Sequence, residues 1–211
     1  MESRFDPRLQ SREYVSRREM TLGERLADER ILFLWGPIGE IMVVSGQEVL
    51  SNASLLVMRM LELQAKAPDR DIQIYINSPG GSVDDTLAIY DTMQFLSCDV
   101  QTYCVGQAAS GAALILAAGA KGKRFALAHS KIMVHQPWGG VSGQAADIKI
   151  QAEEILKAKR LLNQILSNHT GRNIEQIERE TERDRYMSPD EALQYGIVDE
   201  ILKGGKKKTK T

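Results

Sequence analysis

VGQAASGAALILAAGA, residues 105–120, decides how this chain is read: a strand end, a tight turn and a helix follow one another without a spacer. Ser110 stands at the turn between Ala109 and Gly111, small neighbours that let the backbone bend sharply and approach closely. A serine at a helix mouth lies beside unpaired N–H groups and a partial positive charge, where an alkoxide or oxyanion is stabilised. The commoner role of such a serine is to cap the helix. Working outward, residues 100–105 are the strand that enters the turn. Upstream, residues 71–77 (DIQIYIN) are a strand broken by Ser78-Pro79-Gly80-Gly81-Ser82 and followed by a helix over 84–96. Two strand–turn–helix units in succession predict an α/β fold with parallel strands joined by right-handed crossovers. Ligands bind at the C-terminal ends of such strands, so the Gly80-Gly81 turn and the Ser110 turn are expected side by side.

The remainder follows from periodicity and punctuation. ILFLW, Ile31–Trp35, is a buried strand ended by Gly36-Pro37. Residues 40–45 form a second short strand. Val49, Leu55, Leu56, Met60 and Leu63 at helical spacing predict a helix over 46–67, closed by Pro68. Arg124–Leu127 and Lys131–Val134 are short strands, and His135-Gln136-Pro137-Trp138-Gly139-Gly140 is a loop. Residues 144–169 make a helix long for a domain of this size, suited to projecting against another subunit. A polar helix over 173–182 follows. Ser188-Pro189 opens another helix that Gly196 ends, and residues 197–202 are a last strand. Residues 1–30, rich in Arg and Glu, read as a flexible N-terminal arm, 31–202 as the folded body, and 203–211 as a basic tail.

Composition narrows the class. In 211 residues, 43% hydrophobic content supports one full core, and a net charge of −1 points to neither nucleic acid nor a membrane surface. Cys98 and Cys104, in or beside apolar segments without CxxC spacing, read as buried free thiols of a cytoplasmic protein. The charged N-terminus lacks the apolar core of a signal peptide, and no stretch is apolar for long enough to span a bilayer.

A serine nucleophile needs a base, and the base an orienting carboxylate. Of the three histidines, His135 stands at a strand end in a Pro/Gly-rich loop and is the best-placed base. His169 ends the long helix, where a cation complements the dipole, and His129 lies in a turn. Asp184, in Arg183-Asp184-Arg185-Tyr186, is one orienter among many carboxylates, with a surface ion pair to a flanking arginine as its plainer fate. Gly81 and Gly111 can supply the two backbone N–H donors of an oxyanion hole.

NSPGGSV (77–83), IYDTMQ (89–94), GQAAS (106–110), GAKGKR (119–124), HQP (135–137) and TERDR (181–185), in that order, resemble the caseinolytic (Clp) protease proteolytic subunit across roughly residues 29–202. The resemblance implies a crotonase-like spiral of ββα units with a projecting handle helix at about 144–169. It implies a serine endopeptidase with the triad Ser110, His135 and Asp184 and the oxyanion donors Gly81 and Gly111. It further implies heptameric rings stacked as a tetradecamer, built from this chain alone or with a paralogue. Unfolded polypeptides would be fed by a Clp-type AAA+ unfoldase. Residues 119–124 lack Walker A spacing, so ATP belongs to that partner; no cofactor or metal is expected in this chain.

Three positions depart from the family pattern. Gly111 stands where methionine commonly follows the serine, residues 36–54 are longer than usual, and Trp138 replaces a smaller apolar residue. Gly111 and the longer segment keep a weakly active structural or regulatory ring subunit as the alternative. A crotonase-type acyl-CoA enzyme shares the fold and the paired N–H groups but has no need of a Ser-His-Asp set.

Overall fold

The computed structural model describes residues 21–44, 47–137 and 142–204. The expectations for residues 1–20, for Trp138 and for residues 205–211 lie outside them.

Chain order gives α1 (Leu22–Asp28), β1 (Ile31–Trp35), β2 (Ile41–Val44), β3 (Gln47–Ser51), α2 (Asn52–Lys66), β4 (Ile72–Ser78), α3 (Val83–Phe95) and β5 (Val100–Ala109). There follow α4 (Gly111–Ala117), β6 (Arg124–Leu127), β7 (Lys131–Val134), α5 (Ala145–Thr170), α6 (Ile174–Glu180), β8 (Arg185–Met187), α7 (Pro189–Tyr195) and β9 (Glu200–Leu202). β1, β4, β5, β6 and β9 lie side by side as a parallel sheet. On the edge away from β4, β5 serves two neighbours: Thr102–Cys104 pair with β6, and Gln107–Ala109 pair with β7. Between the two stretches Gly106 adopts φ 88°, and the register against β4 shifts there. Asn77 Oδ1 accepts the Gln107 N–H across this irregularity at 3.3 Å. A bulge of this kind re-aims a strand; here it delivers the end of β5, and with it Ser110, to β7.

α4 is the centre of the core. Every residue from Ala112 to Ala118 is buried, as expected of a helix that is apolar all round. The C-terminal carbonyls of a buried helix need partners. Thr102 Oγ1 donates to Leu116 O (2.8 Å), Arg124 Nη1 to Ala117 O (3.2 Å) and Gln94 Nε2 to Ala118 O (3.1 Å). Arg124, itself buried, is neutralised by Asp199 through Nε–Oδ2 at 2.8 Å and Nη2–Oδ1 at 2.5 Å. The Gly122 N–H also donates to Asp199 Oδ2. Burial raises the Asp199 pKa, but the bonds from Arg124 outweigh it and hold the carboxyl below its ordinary value.

Several elements differ from expectation. Residues 21–30 belong to the folded body. Thr21 and Glu24 form a capping box that starts α1. Arg30 is buried and donates to the carbonyls of Leu63, Arg70 and Asp71. Residues 47–51 are a strand paired with β2, not the first turn of a helix. The helix begins only where the Ser51 side chain accepts the Ser54 N–H. β5 runs to Ala109, four residues beyond the expected end. Residues 185–187, given no element from the sequence, are a strand, β8, antiparallel to β7. β9 starts at Glu200 because the Ile197 N–H is taken by Ala192 O in the cap of α7 and the Asp199 N–H by Arg124 O. The handle helix spans Ala145–Thr170, within one residue of expectation at each end. Only Asn163, Ile165 and Leu166 are buried, and Ile148, Ile150 and Leu156 stay exposed toward its N-terminal end. Cys98 and Cys104 are buried free thiols; burial pushes the Cys104 thiol up to about 11.

His169 does not act as a cation at the dipole. Its ring packs edge-on against Tyr90, with Nε2 3.2 Å from the Tyr90 hydroxyl. Burial first, and the Arg124 charge second, lower its pKa below the ordinary 6.5, so the imidazole is neutral at pH 7. The unfolded chain protonates this ring more readily than the folded one. Its contribution is therefore complete above the ordinary value and lost as pH falls toward the depressed folded value. Chemical denaturation at pH 7 and pH 5.5 should show stability falling with acid in the parent and falling less in His169→Gln. Equal slopes would place the acid sensitivity elsewhere.

Candidate active site

The turn between β5 and α4 holds Ser110 at φ 56°, ψ −127°. A non-glycine residue in this region costs on the order of 1–3 kcal/mol and persists only where its surroundings impose it. Here the Ser110 N–H donates to Met133 O of β7 at 2.8 Å, and Ser110 O receives the N–H groups of Ala113 and Leu114. Ser110 sits at the cap position of α4, yet its side chain makes no capping bond. Oγ turns instead to His135 Nε2 at 2.8 Å. The commoner role for this serine, the helix cap, is thus not the one its hydroxyl takes up.

His135 follows directly on β7. The Gln136 N–H donates to Thr181 O (2.7 Å) and Gln136 Nε2 to Glu182 O (3.1 Å). These bonds draw residues 181–184 alongside the histidine. The antiparallel pairing then sets Arg185 opposite Val134, and Asp184 Oδ1 lies 3.1 Å from His135 Nδ1. Asp184 does not fall to the expected surface ion pair: it is Arg185 that pairs with Glu180, at 3.2 Å. Serine hydroxyl, imidazole and carboxylate stand in a hydrogen-bonded line. Such a line can pass the serine proton to the ring and steady the ring as it charges. His129 lies in an exposed turn and His169 against Tyr90, so neither joins this group.

The two glycine-bearing turns are neighbours, as the strand order required. A Cβ built on Gly80 would come within 2.6 Å of both Ala109 O and Ser110 Cβ. Gly81 forms a parallel bridge with Ile38. The Ile38 N–H donates to Gly80 O (2.9 Å) and the Ser82 N–H to Ile38 O (3.1 Å). That bridge uses groups on either side of Gly81 and leaves the Gly81 N–H free of it. Gly111 is the first residue of α4, so its N–H has no acceptor within the helix. A cavity of about 300 Å³ opens beside Ser110 and His135, walled by Thr86, Gly111, Leu114, Val134, Asn163 and Leu166 among others. This lies at the lower end of the usual size for ligand pockets, and its walls are chiefly apolar. Sequence reasoning did not single out Thr86 or Asn163, and it quoted Thr181 only as the first residue of a motif, with no role. Each sits on a helix or loop far away in the chain, and no motif marks which side faces the serine. Among the described residues, no three His, Cys, Asp or Glu side chains converge as a metal site, and no helix is long and apolar enough to cross a membrane.

A family model described as Clp protease matches residues 15–205. The chain is also 51% identical over 191 residues to the ATP-dependent Clp protease proteolytic subunit 1 of Rhodopirellula baltica, covering 90% of this chain and 80% of that protein.

The backbone N, C and O atoms of Ile38 crowd the place where a Gly81 Cβ would go. Gly81→Ala should lower stability by about 1–3 kcal/mol, the usual cost of overpacking. Gly23→Ala, on exposed helix surface with nothing within 4 Å, should raise it by up to about 1 kcal/mol. Urea unfolding of the two variants beside the parent checks both signs.

Proposed function

The chain belongs to the Clp protease family, and from that membership we propose that Ser110 is its nucleophile, His135 its general base and Asp184 the carboxylate that orients the base. The protein is a serine-type endopeptidase, a hydrolase of protein degradation, with the fold of that family. The observation that carries the assignment is the pair of contacts about one imidazole: 2.8 Å from Nε2 to Ser110 Oγ and 3.1 Å from Nδ1 to Asp184 Oδ1.

In this mechanism His135 Nε2 takes the Ser110 proton as Oγ attacks a peptide carbonyl. The N–H groups of Gly81 and Gly111 receive the charge that grows on the carbonyl oxygen. His135 then protonates the departing amine, and water, activated by the same ring, hydrolyses the acyl-enzyme. Asp184 holds the ring with Nδ1 protonated and stabilises the imidazolium. The strained Ser110 turn supplies orientation: it lifts Oγ off the helix cap and toward the cavity, where a substrate side chain can lie. No metal or cofactor enters these steps, and any ATP is spent by a partner.

The chain works as one subunit of an oligomeric Clp assembly with Clp ATPases. Heptameric rings stacked as a tetradecamer are the finer proposal, together with a Clp-type AAA+ unfoldase and a cytoplasmic location. The support within this chain is α5, whose N-terminal part carries exposed Ile148, Ile150 and Leu156 on a helix that only its C-terminal part anchors.

A fluorophosphonate probe should label the assembled parent and leave Ser110→Ala unlabelled. Asp184→Asn should lower kcat on a short peptide by about 10⁴-fold, since it leaves the imidazole in the wrong tautomer. A fully assembled parent that neither labels nor cleaves, alone or with its ATPase, would instead make this a structural ring subunit.

A further inference from the structure

Position 111 carries one of the two proposed oxyanion donors, and it is glycine. The reason lies beside it in the cavity wall, on α3. Thr86, in the first turns of α3, is 1% exposed. Its hydroxyl is fixed by donation to Ser82 O at 2.8 Å. A Cβ built on Gly111 would run into Thr86 Oγ1 and lie 3.1 Å from Thr86 Cγ2 and 3.3 Å from Thr86 Cβ. Positions 86 and 111 therefore share the space of one side chain. Both line the cavity beside Ser110. In this chain the shared space is filled from α3.

We propose that Thr86 is a specificity-determining residue: with Gly111 it sets the width of the pocket that receives the substrate side chain on the acyl side of the scissile bond. The proposal deepens the assignment of Ser110 as nucleophile and rests on it. Three physical consequences follow. Thr86 takes volume from the cavity wall beside Gly111, so the pocket favours small and medium apolar side chains over large aromatic ones. Removing the threonine branch returns that volume without touching the triad. Adding a methyl at 111 while Thr86 remains forces the start of α4 aside and displaces the Gly111 N–H, which is felt in the transition state more than in substrate binding. The effect is one of size, since the Thr86 hydroxyl is already occupied by Ser82 O.

The test is a double-mutant cycle on the full assembly. Parent, Thr86→Ala, Gly111→Ala, Thr86→Ala/Gly111→Ala and Thr86→Val/Gly111→Ala are compared on peptides differing only in the residue before the cleaved bond. Thr86→Ala should shift the ratio of kcat/KM for Phe over Ala at that residue upward by about tenfold or more, the scale on which pocket volume discriminates. Gly111→Ala should lose about 10²–10³ in kcat with a smaller change in KM, as loss of an oxyanion donor does. Adding Thr86→Ala to Gly111→Ala should recover at least tenfold of that loss, and adding Thr86→Val should recover none, because valine keeps the branch that clashes. The thermal unfolding midpoints of the same variants should show the same non-additivity between 86 and 111.

Additive effects on both activity and unfolding would overturn the shared-space argument. Non-additive unfolding with an unchanged Phe-to-Ala ratio would overturn the specificity claim. An assembled parent that does not react with fluorophosphonate would overturn the Ser110 assignment and the specificity claim together, a result distinct from either of the others.

Discussion

The hydrogen bond from the Ser110 N–H to Met133 O, 2.8 Å long, is the constraint on which the rest of the site depends. It is the last rung of the pairing between β5 and β7. It binds a residue of unfavourable backbone conformation to the strand that carries His135 two positions later. Ser110 at φ 56° would relax in isolation. It is kept there because β5 ends in a paired strand on one side and α4 begins inside a packed core on the other. The serine hydroxyl then reaches His135 rather than the helix end.

That constraint is only as firm as α4, a seven-residue helix too short to hold itself together in water. Its stability comes from burial, and its buried carbonyl end is satisfied by Thr102, Gln94 and Arg124. Arg124 also donates to His169 O at the end of α5. One buried guanidinium, neutralised by Asp199, thus joins α4, the helix that follows Ser110, to the long helix α5 and to the strand β6 that bears it. Truncating one partner of such a buried pair leaves an unsatisfied charge and costs more than the pair itself contributes. The core beneath Ser110 and the anchor of α5 are accordingly one structural unit.

His135 and Asp184 are held together by a separate device. β8 is only three residues long, but its pairing with β7 and the two bonds made by Gln136 fix Asp184 against His135. Asp184 remains more than half exposed in the single chain, with 56% of its side chain accessible. Its alignment therefore comes from the backbone ladder more than from packing around the carboxylate. The glycines of the first turn contribute in the opposite manner, by what they lack. Gly80 lets that turn lie against Ala109 and Ser110, and Gly81 lets it close on Ile38.

Local pattern in the chain was enough to determine the parallel α/β arrangement, the handle helix to within a residue at each end, and both glycine turns. Apolar period, caps and chain breakers act over a few residues and survive without knowledge of the fold. Ser110 and His135 were legible for the same reason, each standing at a strand end where a turn begins. Asp184 was not separable from the many other carboxylates on such grounds, because β8 exists only through its partner β7. Residues 47–51 and His169 were misread because strand pairing and burial overrode a helical period and a helix dipole. Residues 21–30 read as an arm because the anchors of Arg30 are carbonyls from 33 to 41 residues away. Only the tertiary structure turned the Ser110 hydroxyl from a cap into a partner of His135 and set Thr86 against Gly111. Those contacts join segments far apart in the chain, and no local preference encodes a meeting between surfaces that folding alone brings together.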